Sequence, residues 1–125
     1  MKILVADDSL LDRKLLIRIL MKAEISQEIL QAEDGEQAME ILAGNYMDIC
    51  LVLLDWQMPK VSGIELMAGM VKIPELSNLP IIMVTASGSD DNKRMAYQVN
   101  TKLAGYFVKP YKPEDLIAAI KPYLR

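Results

Sequence analysis

Short apolar runs, each stopped by a polar or charged side chain, recur along this chain at residues 3–6, 49–54, 81–84 and 106–108, with a weaker run at 28–32. Each is too short for a typical helix, and most are rich in Val and Ile, so they read as strands buried on both faces. Segments long enough for helices separate them. Strand and helix therefore alternate, and helical crossovers between neighbouring strands require a parallel sheet with right-handed connections and helices on both faces. The expected fold class is α/β, a doubly wound five-stranded parallel sheet with five helices.

The helices have their own signals. Leu11, Leu15 and Ile19, flanked by Leu16 and Leu20, mark the first, and Ser9 with Asp12 supplies a capping-box pattern at its start. Asp34 is placed to cap a second helix carrying Ala38, Met39 and Leu42, which Gly44-Asn45 should end. Ser62 with Glu65 caps a third carrying Ile64, Met67 and Val71, and a fourth carries Met95, Ala96, Val99 and Leu103. The last has Pro113 in its first turn and Leu116, Ile117, Ile120 and Leu124 on one stripe, with Pro122 expected to distort its end. Nine methionines, mostly at positions this pattern buries, read as adaptable core filler.

Composition narrows the function classes. With 125 residues, 52% of them apolar and 25% charged, the chain is expected to be one soluble globular domain over residues 1–125, with no output domain attached. Its 14 basic against 17 acidic residues give a net charge of −3, so phosphate-tracking nucleic-acid binding has no whole-chain support. The absence of histidine removes the usual general base and imidazole metal ligand, and the lone Cys50 closes no intrachain disulfide. No apolar run approaches the roughly 20 residues that span a bilayer, and aspartates arrive too early for a signal peptide, so a cytoplasmic location without membrane partners is expected.

What ends each strand carries the chemistry. Asp7-Asp8 follows the first, Asp55 the third, Thr85 the fourth and Lys109 the fifth. In a parallel sheet these carboxyl ends share one edge, where open α/β sheets bind ligands. Successive side chains of a regular strand alternate in direction, so Asp7 and Asp8 must occupy the turn out of it. Two unit charges about 4 Å apart repel by roughly 4 kcal/mol at an effective dielectric near 20, so such carboxylates need protonation or a cation. Oxygen ligands without imidazole or thiolate favour magnesium. One Mg²⁺ with Lys109 balances the three aspartates, and a phosphoryl group on Asp55 would leave the pocket near −1, with the Thr85 hydroxyl free to donate to it. Such a constellation suits phosphoryl transfer, where positioning and neutralisation carry most of the catalysis.

At these residues the chain resembles the receiver domain of two-component response regulators, and the single-domain CheY-like members most closely. The matching segments are Val5-Ala6-Asp7-Asp8-Ser9, Leu53-Leu54-Asp55-Trp56-Gln57-Met58-Pro59 with Gly63, Ile82-Met83-Val84-Thr85-Ala86, and Gly105-Tyr106-Phe107-Val108-Lys109-Pro110. The resemblance implies the strand order 2-1-3-4-5 and Asp55 as phosphoacceptor, supplied by a histidine kinase or histidine phosphotransfer protein. It implies Mg²⁺, with Mn²⁺ able to substitute, held by Asp8, Asp55 and the backbone carbonyl of Gln57, with Asp7 acting through a bound water. Lys109 would pair with the phosphoryl group, while Gln57 and Ser87 would tune its lifetime. Thr85 and Tyr106 would move together as the switch and alter the face made by the fourth helix, fifth strand and fifth helix, so that the signal passes to a downstream protein such as a chemotaxis component. Slow self-catalysed dephosphorylation, a monomeric or weakly dimeric state and a Lys109-Pro110 bond in the cis form are further implications.

The interval from Thr85 to Lys109 is slightly longer than the family pattern, and residues 99–104 replace its usual small, Gly/Ala-rich approach to the fifth strand. Three other readings compete. An aspartate-nucleophile phosphatase needs an acid two residues after Asp55, where Gln57 stands. A flavodoxin-like carrier needs a phosphate-binding loop after the first strand, where aspartates would repel the flavin phosphate. A receiver-like protein-binding module that is never phosphorylated would keep the fold without using the acidic site.

Overall fold

The structure, a computed structural model, describes residues 1–125. Strands and helices alternate throughout: β1 (Lys2–Ala6), α1 (Leu10–Lys22), β2 (Glu28–Ala32), α2 (Gly35–Asn45), β3 (Ile49–Leu54), α3 (Gly63–Met70), β4 (Ile81–Thr85), α4 (Asp90–Val99), β5 (Gly105–Val108) and α5 (Pro113–Ile120). The five strands form one parallel sheet in the order β2-β1-β3-β4-β5, as expected. The chain order reverses between β1 and β3, so the crevice at a switch point opens beside the carboxyl ends of those two strands.

Strand periodicity divides the core into two layers. Leu4, Ala6, Val52, Leu54, Ile81 and Met83 face Ala38, Leu42, Leu66, Met67 and Ala96 on α2, α3 and α4. Their neighbours Ile3, Val5, Leu51, Leu53, Ile82 and Val84 face Leu16, Leu20, Leu116 and Ile120 on α1 and α5. Every residue of β3 and β4 is buried, which is why these runs carry no polar alternation. Cys50 packs into the α1–α5 layer as a small apolar side chain.

Helix boundaries follow their caps. Asp34 accepts from the Gln37 amide at 2.7 Å, and Ser62 and Glu65 complete a reciprocal capping box. Pro113 opens α5, and the chain beyond Ile120 tightens into a 3₁₀ turn at Lys121–Tyr123 around Pro122. Some apolar assignments differ from the sequence pattern. In α1 the buried face is Arg13, Leu16 and Leu20, whereas Leu11 and Leu15 are 66% and 47% exposed on the opposite side. The capping box at α1 is half formed: Ser9 Oγ accepts from the Asp12 amide, but the Ser9 amide donates to Asp7 Oδ1 instead of to Asp12. Helix α4 stops at Val99, because the buried Asn100 is extended and accepts from the Lys102 amide, so Leu103 packs from the following loop. Met95 is exposed and Val71 lies just past α3.

Candidate functional site

Each strand-end residue is held one step beyond its strand by a final ladder bond. The Asp7 amide donates to the Ala32 carbonyl, the Asp55 amide to that of Ala6, and the Lys109 amide to that of Thr85, all between 2.8 and 3.0 Å. The backbone of the sheet therefore fixes the starting points of these side chains. Asp7, Asp8 and Asp55 come together there, one carboxylate oxygen of each lying within 4.8 Å of the others. Asp7, Asp55 and Thr85 are buried, while Asp8 and Gln57 are exposed. Asp8, Asp55, Gln57, Thr85 and Ser87 line a recess of about 250 Å³.

Lys109 reaches this group from the far side of the sheet. Its ammonium donates to Asp7 Oδ2 at 2.6 Å, to Asp12 Oδ2 at 2.9 Å and to Asp55 Oδ2 at 3.2 Å. The other Asp55 oxygen accepts from the Trp56 amide at 2.6 Å, and Asp7 Oδ1 accepts from the Ser9 amide at 2.9 Å. Burial would lower the pKa of the ammonium, but hydrogen bonds to Asp7 and Asp12 and the charge of Asp55 outweigh it, so Lys109 stays cationic. Asp7 is held above the usual carboxylate range, chiefly by burial and also by the charge of Asp55, against the opposing pull of Lys109 and the Ser9 amide. Carboxylate, amide-type oxygen and hydroxyl donors without nitrogen or sulfur fit a hard divalent cation.

Thr85 and Tyr106 lie on adjacent strands, Thr85 at the carboxyl end of β4 and Tyr106 in β5, opposite Met83. Thr85 Oγ1 accepts from the Ser87 amide at 3.2 Å, leaving the hydroxyl proton for another acceptor. The Tyr106 hydroxyl donates to the Ser87 carbonyl, and Asn92 of α4 donates to the Ser87 hydroxyl, so the β4–α4 loop is tied both to β5 and to its own helix. Lys93 Nζ stands 5.9 Å from the centroid of the Tyr106 ring. Lys109-Pro110 is cis.

Two neighbours of the site escaped the sequence reading. Asp12 sits where the sequence places a helix-capping partner of Ser9, yet its side chain is on Lys109. Arg13 is 7% exposed and donates to the Asp7 carbonyl at 2.6 Å and to Gln31 Oε1 at 3.1 Å, bracing the turn that presents the two aspartates. Both lie on α1, and both meet partners supplied by other strands or by the turn, so nothing in the helix sequence itself sets them apart from Lys14, Arg18 or Lys22.

The model of the response regulator receiver domain matches residues 3–121. The phosphate regulon transcriptional regulatory protein PhoB of Pseudomonas aeruginosa is 40% identical over 124 residues, covering 98% of this chain and 51% of PhoB. The chain thus spans about half the length of that relative, and 48% of the transcriptional regulatory protein ResD of Bacillus subtilis. A chemotaxis protein CheY homologue of Campylobacter jejuni is 33% identical over 116 residues, which cover 93% of this chain and 86% of the homologue. The solved structure of Vibrio cholerae CheY4 superposes with a TM-score of 0.83 at 27% identity over 98% of both chains. The Mn²⁺-bound response regulator Rcp1 gives a TM-score of 0.79 at 28% identity, covering 97% of this chain and 89% of Rcp1. With the family pattern met across nearly its whole length, by sequence and by shape, the chain belongs to the response regulator receiver domains of two-component signalling.

Proposed function

We propose that this receiver is a phosphorylation-driven switch whose acceptor is Asp55. The observation that carries the reading is the Lys109 ammonium within hydrogen-bond reach of both Asp7 and Asp55, residues that meet only through the fold. An Asp55 carboxylate oxygen attacks the phosphorus of a phosphohistidine on a partner kinase or phosphotransfer protein. The new P–O bond forms as the P–N bond breaks, and the electron pair of that bond returns to the imidazole. Lys109 then donates to a phosphoryl oxygen, and the Thr85 hydroxyl adds a second, neutral donor. Asp8, Asp55 and the Gln57 carbonyl, with Asp7 through water, would hold Mg²⁺ or Mn²⁺, and that ion would supply the positive charge that makes a dianionic phosphoryl group tolerable there. The Mn²⁺ seen in Rcp1 supports that choice of ion.

Loss of the phosphoryl group is the reverse problem. A water oxygen attacks phosphorus, the Asp55 carboxylate is restored, and phosphate leaves with one proton passing to solvent. Gln57 and Ser87 line the recess through which that water must come, so they set the lifetime. Engagement of Thr85 by the phosphoryl group competes with its bond from the Ser87 amide; Ser87 also holds the Tyr106 hydroxyl. The two residues thereby couple the phosphoryl group to the face made by α4, β5 and α5. The CheY homologue, most of whose length this chain spans, supports a reading in which the changed face docks to a separate protein.

The decisive experiment is incubation with acetyl phosphate and Mg²⁺, followed by intact mass. The protein gains one phosphoryl mass, and Asp55→Asn gains none. No gain in the unaltered protein would leave the reading of a protein-binding module that is never phosphorylated. An equal gain in Asp55→Asn would place the acceptor elsewhere.

A further inference from the structure

We propose that Asp12 is a positioning residue for this chemistry: from α1 it competes with the incoming phosphoryl group for the Lys109 ammonium and so raises the concentration of anionic donor the site requires. The inference rests on Asp55 being the acceptor and adds a residue that the acidic trio does not include. An ammonium has three N–H donors. Here all three have carboxylate partners, at 2.6 Å to Asp7, 2.9 Å to Asp12 and 3.2 Å to Asp55, and the bond to the acceptor is the longest. A phosphoryl oxygen arriving on Asp55 obtains a donor from Lys109 only by displacing one of these partners.

Asp7 and Asp55 are fixed by other ties, the first by the Ser9 amide and the second by the Trp56 amide. Asp12 is different. Capping does not explain where its side chain lies, because the Ser9 amide it would otherwise accept is already taken by Asp7. Its side chain is 37% exposed, against 8% for Asp7 and 10% for Asp55, so its carboxylate retains water and can release the ammonium at low cost. Asp12 and Lys109 border a second recess of about 480 Å³ between α1 and the start of α5, lined otherwise mainly by Leu15, Leu16, Ile19 and Tyr111. Lys109 therefore forms part of the wall of this recess on the α1 side, and it meets the acceptor through its bond to Asp55 Oδ2.

Asp12 also adds a fourth negative charge to a pocket that one divalent cation and Lys109 would otherwise balance. That charge opposes every anionic donor before any bond changes. It acts on donor binding and Lys109 placement, while the carboxylate that attacks and the groups that hold it are unchanged. The signature is consequently a split between half-saturating donor concentration and maximal rate, which a general loosening of the fold would not produce.

The test compares the unaltered protein with Asp12→Asn, Asp12→Gln and Asp12→Glu, and with Asp91→Asn as a control that removes one exposed charge from the first turn of α4. Initial rates of phosphoryl gain are followed by intact mass over a range of acetyl phosphate concentrations with Mg²⁺, and circular dichroism checks that each variant is folded. Asp12→Asn lowers the half-saturating concentration by about three- to tenfold, the scale expected for one screened charge near the site, with the maximal rate within about twofold. Asp12→Gln moves in the same direction, Asp12→Glu stays with the unaltered protein, and Asp91→Asn changes nothing. An unchanged half-saturating concentration in both neutral variants, or an equal fall in Asp91→Asn, overturns the role of Asp12 while leaving Asp55 as acceptor. An unaltered protein that gains no phosphoryl mass overturns both.

Discussion

Asp7 occupies an electrostatically unfavourable position. It is buried, its carboxyl is held above the normal range by that burial and by Asp55, and Lys109 only partly compensates. A carboxyl whose folded-state pKa is raised binds its proton more tightly in the native state than in the unfolded chain. Its favourable contribution is thus complete below the unfolded value near 3.9 and is lost as pH rises through the folded value. At neutral pH Asp7 therefore lowers stability. Asp7→Asn should raise the melting temperature at pH 7 without divalent cation, and the gain should shrink as the pH is lowered towards about 4; a melting temperature that falls at pH 7 would contradict this. The positions of Asp7, Asp8, Asp55, Thr85 and Lys109 were legible in the sequence because Asp7, Asp55 and Lys109 directly follow apolar strands, Asp8 is next to Asp7, Thr85 ends one, and parallel strands share one carboxyl edge. Asp12 and Arg13 were not, because their partners depend on how α1 lies against β5 and β2, which no spacing within the helix encodes.

Among the elements, the connection from β3 to α3 places Asp55, and it has no room to spare. The Gly63 amide donates to the Trp56 carbonyl at 2.7 Å, and a β-carbon built on Gly63 would lie 1.9 Å from the Asp55 carbonyl oxygen. A β-carbon on Gly35 would similarly meet the Val61 carbonyl at 2.1 Å, so the starts of α2 and α3 both press on this loop. Neither contact is with a flexible side chain that could swing aside. Gly63→Ala should cost about 2–4 kcal/mol in urea unfolding and should also slow phosphoryl gain on Asp55, since relief requires the backbone of that residue to shift. Loss of stability with an unchanged rate would mean the loop yields elsewhere. Helix α1 shows the limit of periodicity as a guide. The row Leu11, Leu15, Ile19 has the same spacing as a core stripe, yet the face turned to the sheet is Arg13, Leu16 and Leu20. Two apolar rows compete, and the buried one continues into Arg13, whose guanidinium bridges the Asp7 carbonyl and Gln31 of β2. The strands left no such choice, because β3 and β4 are apolar on both faces.

At the scale of the whole molecule, a parallel sheet gathers charge at one edge while both of its faces are covered by apolar layers. The net charge of −3 is spread over the chain, but the acidic edge concentrates carboxylates where a cation has most to gain. Trp56 reports on that edge, since its amide binds Asp55 and its half-buried ring packs against the core layer of α2, α3 and α4. Titration with Mg²⁺ should change its emission saturably in the millimolar range, and Asp8→Asn should weaken or abolish the response; as the only tryptophan, it gives an unmixed signal. A flat titration would count against metal binding at these carboxylates. The contact that completes this edge joins residues separated by 102 positions. On a ribosome, β1 and β3 emerge well before β5, so a nascent chain that pairs them early brings Asp7 and Asp55 together before the ammonium that relieves them has arrived. Those two carboxylates gain the Lys109 counter-charge only when the last strand docks.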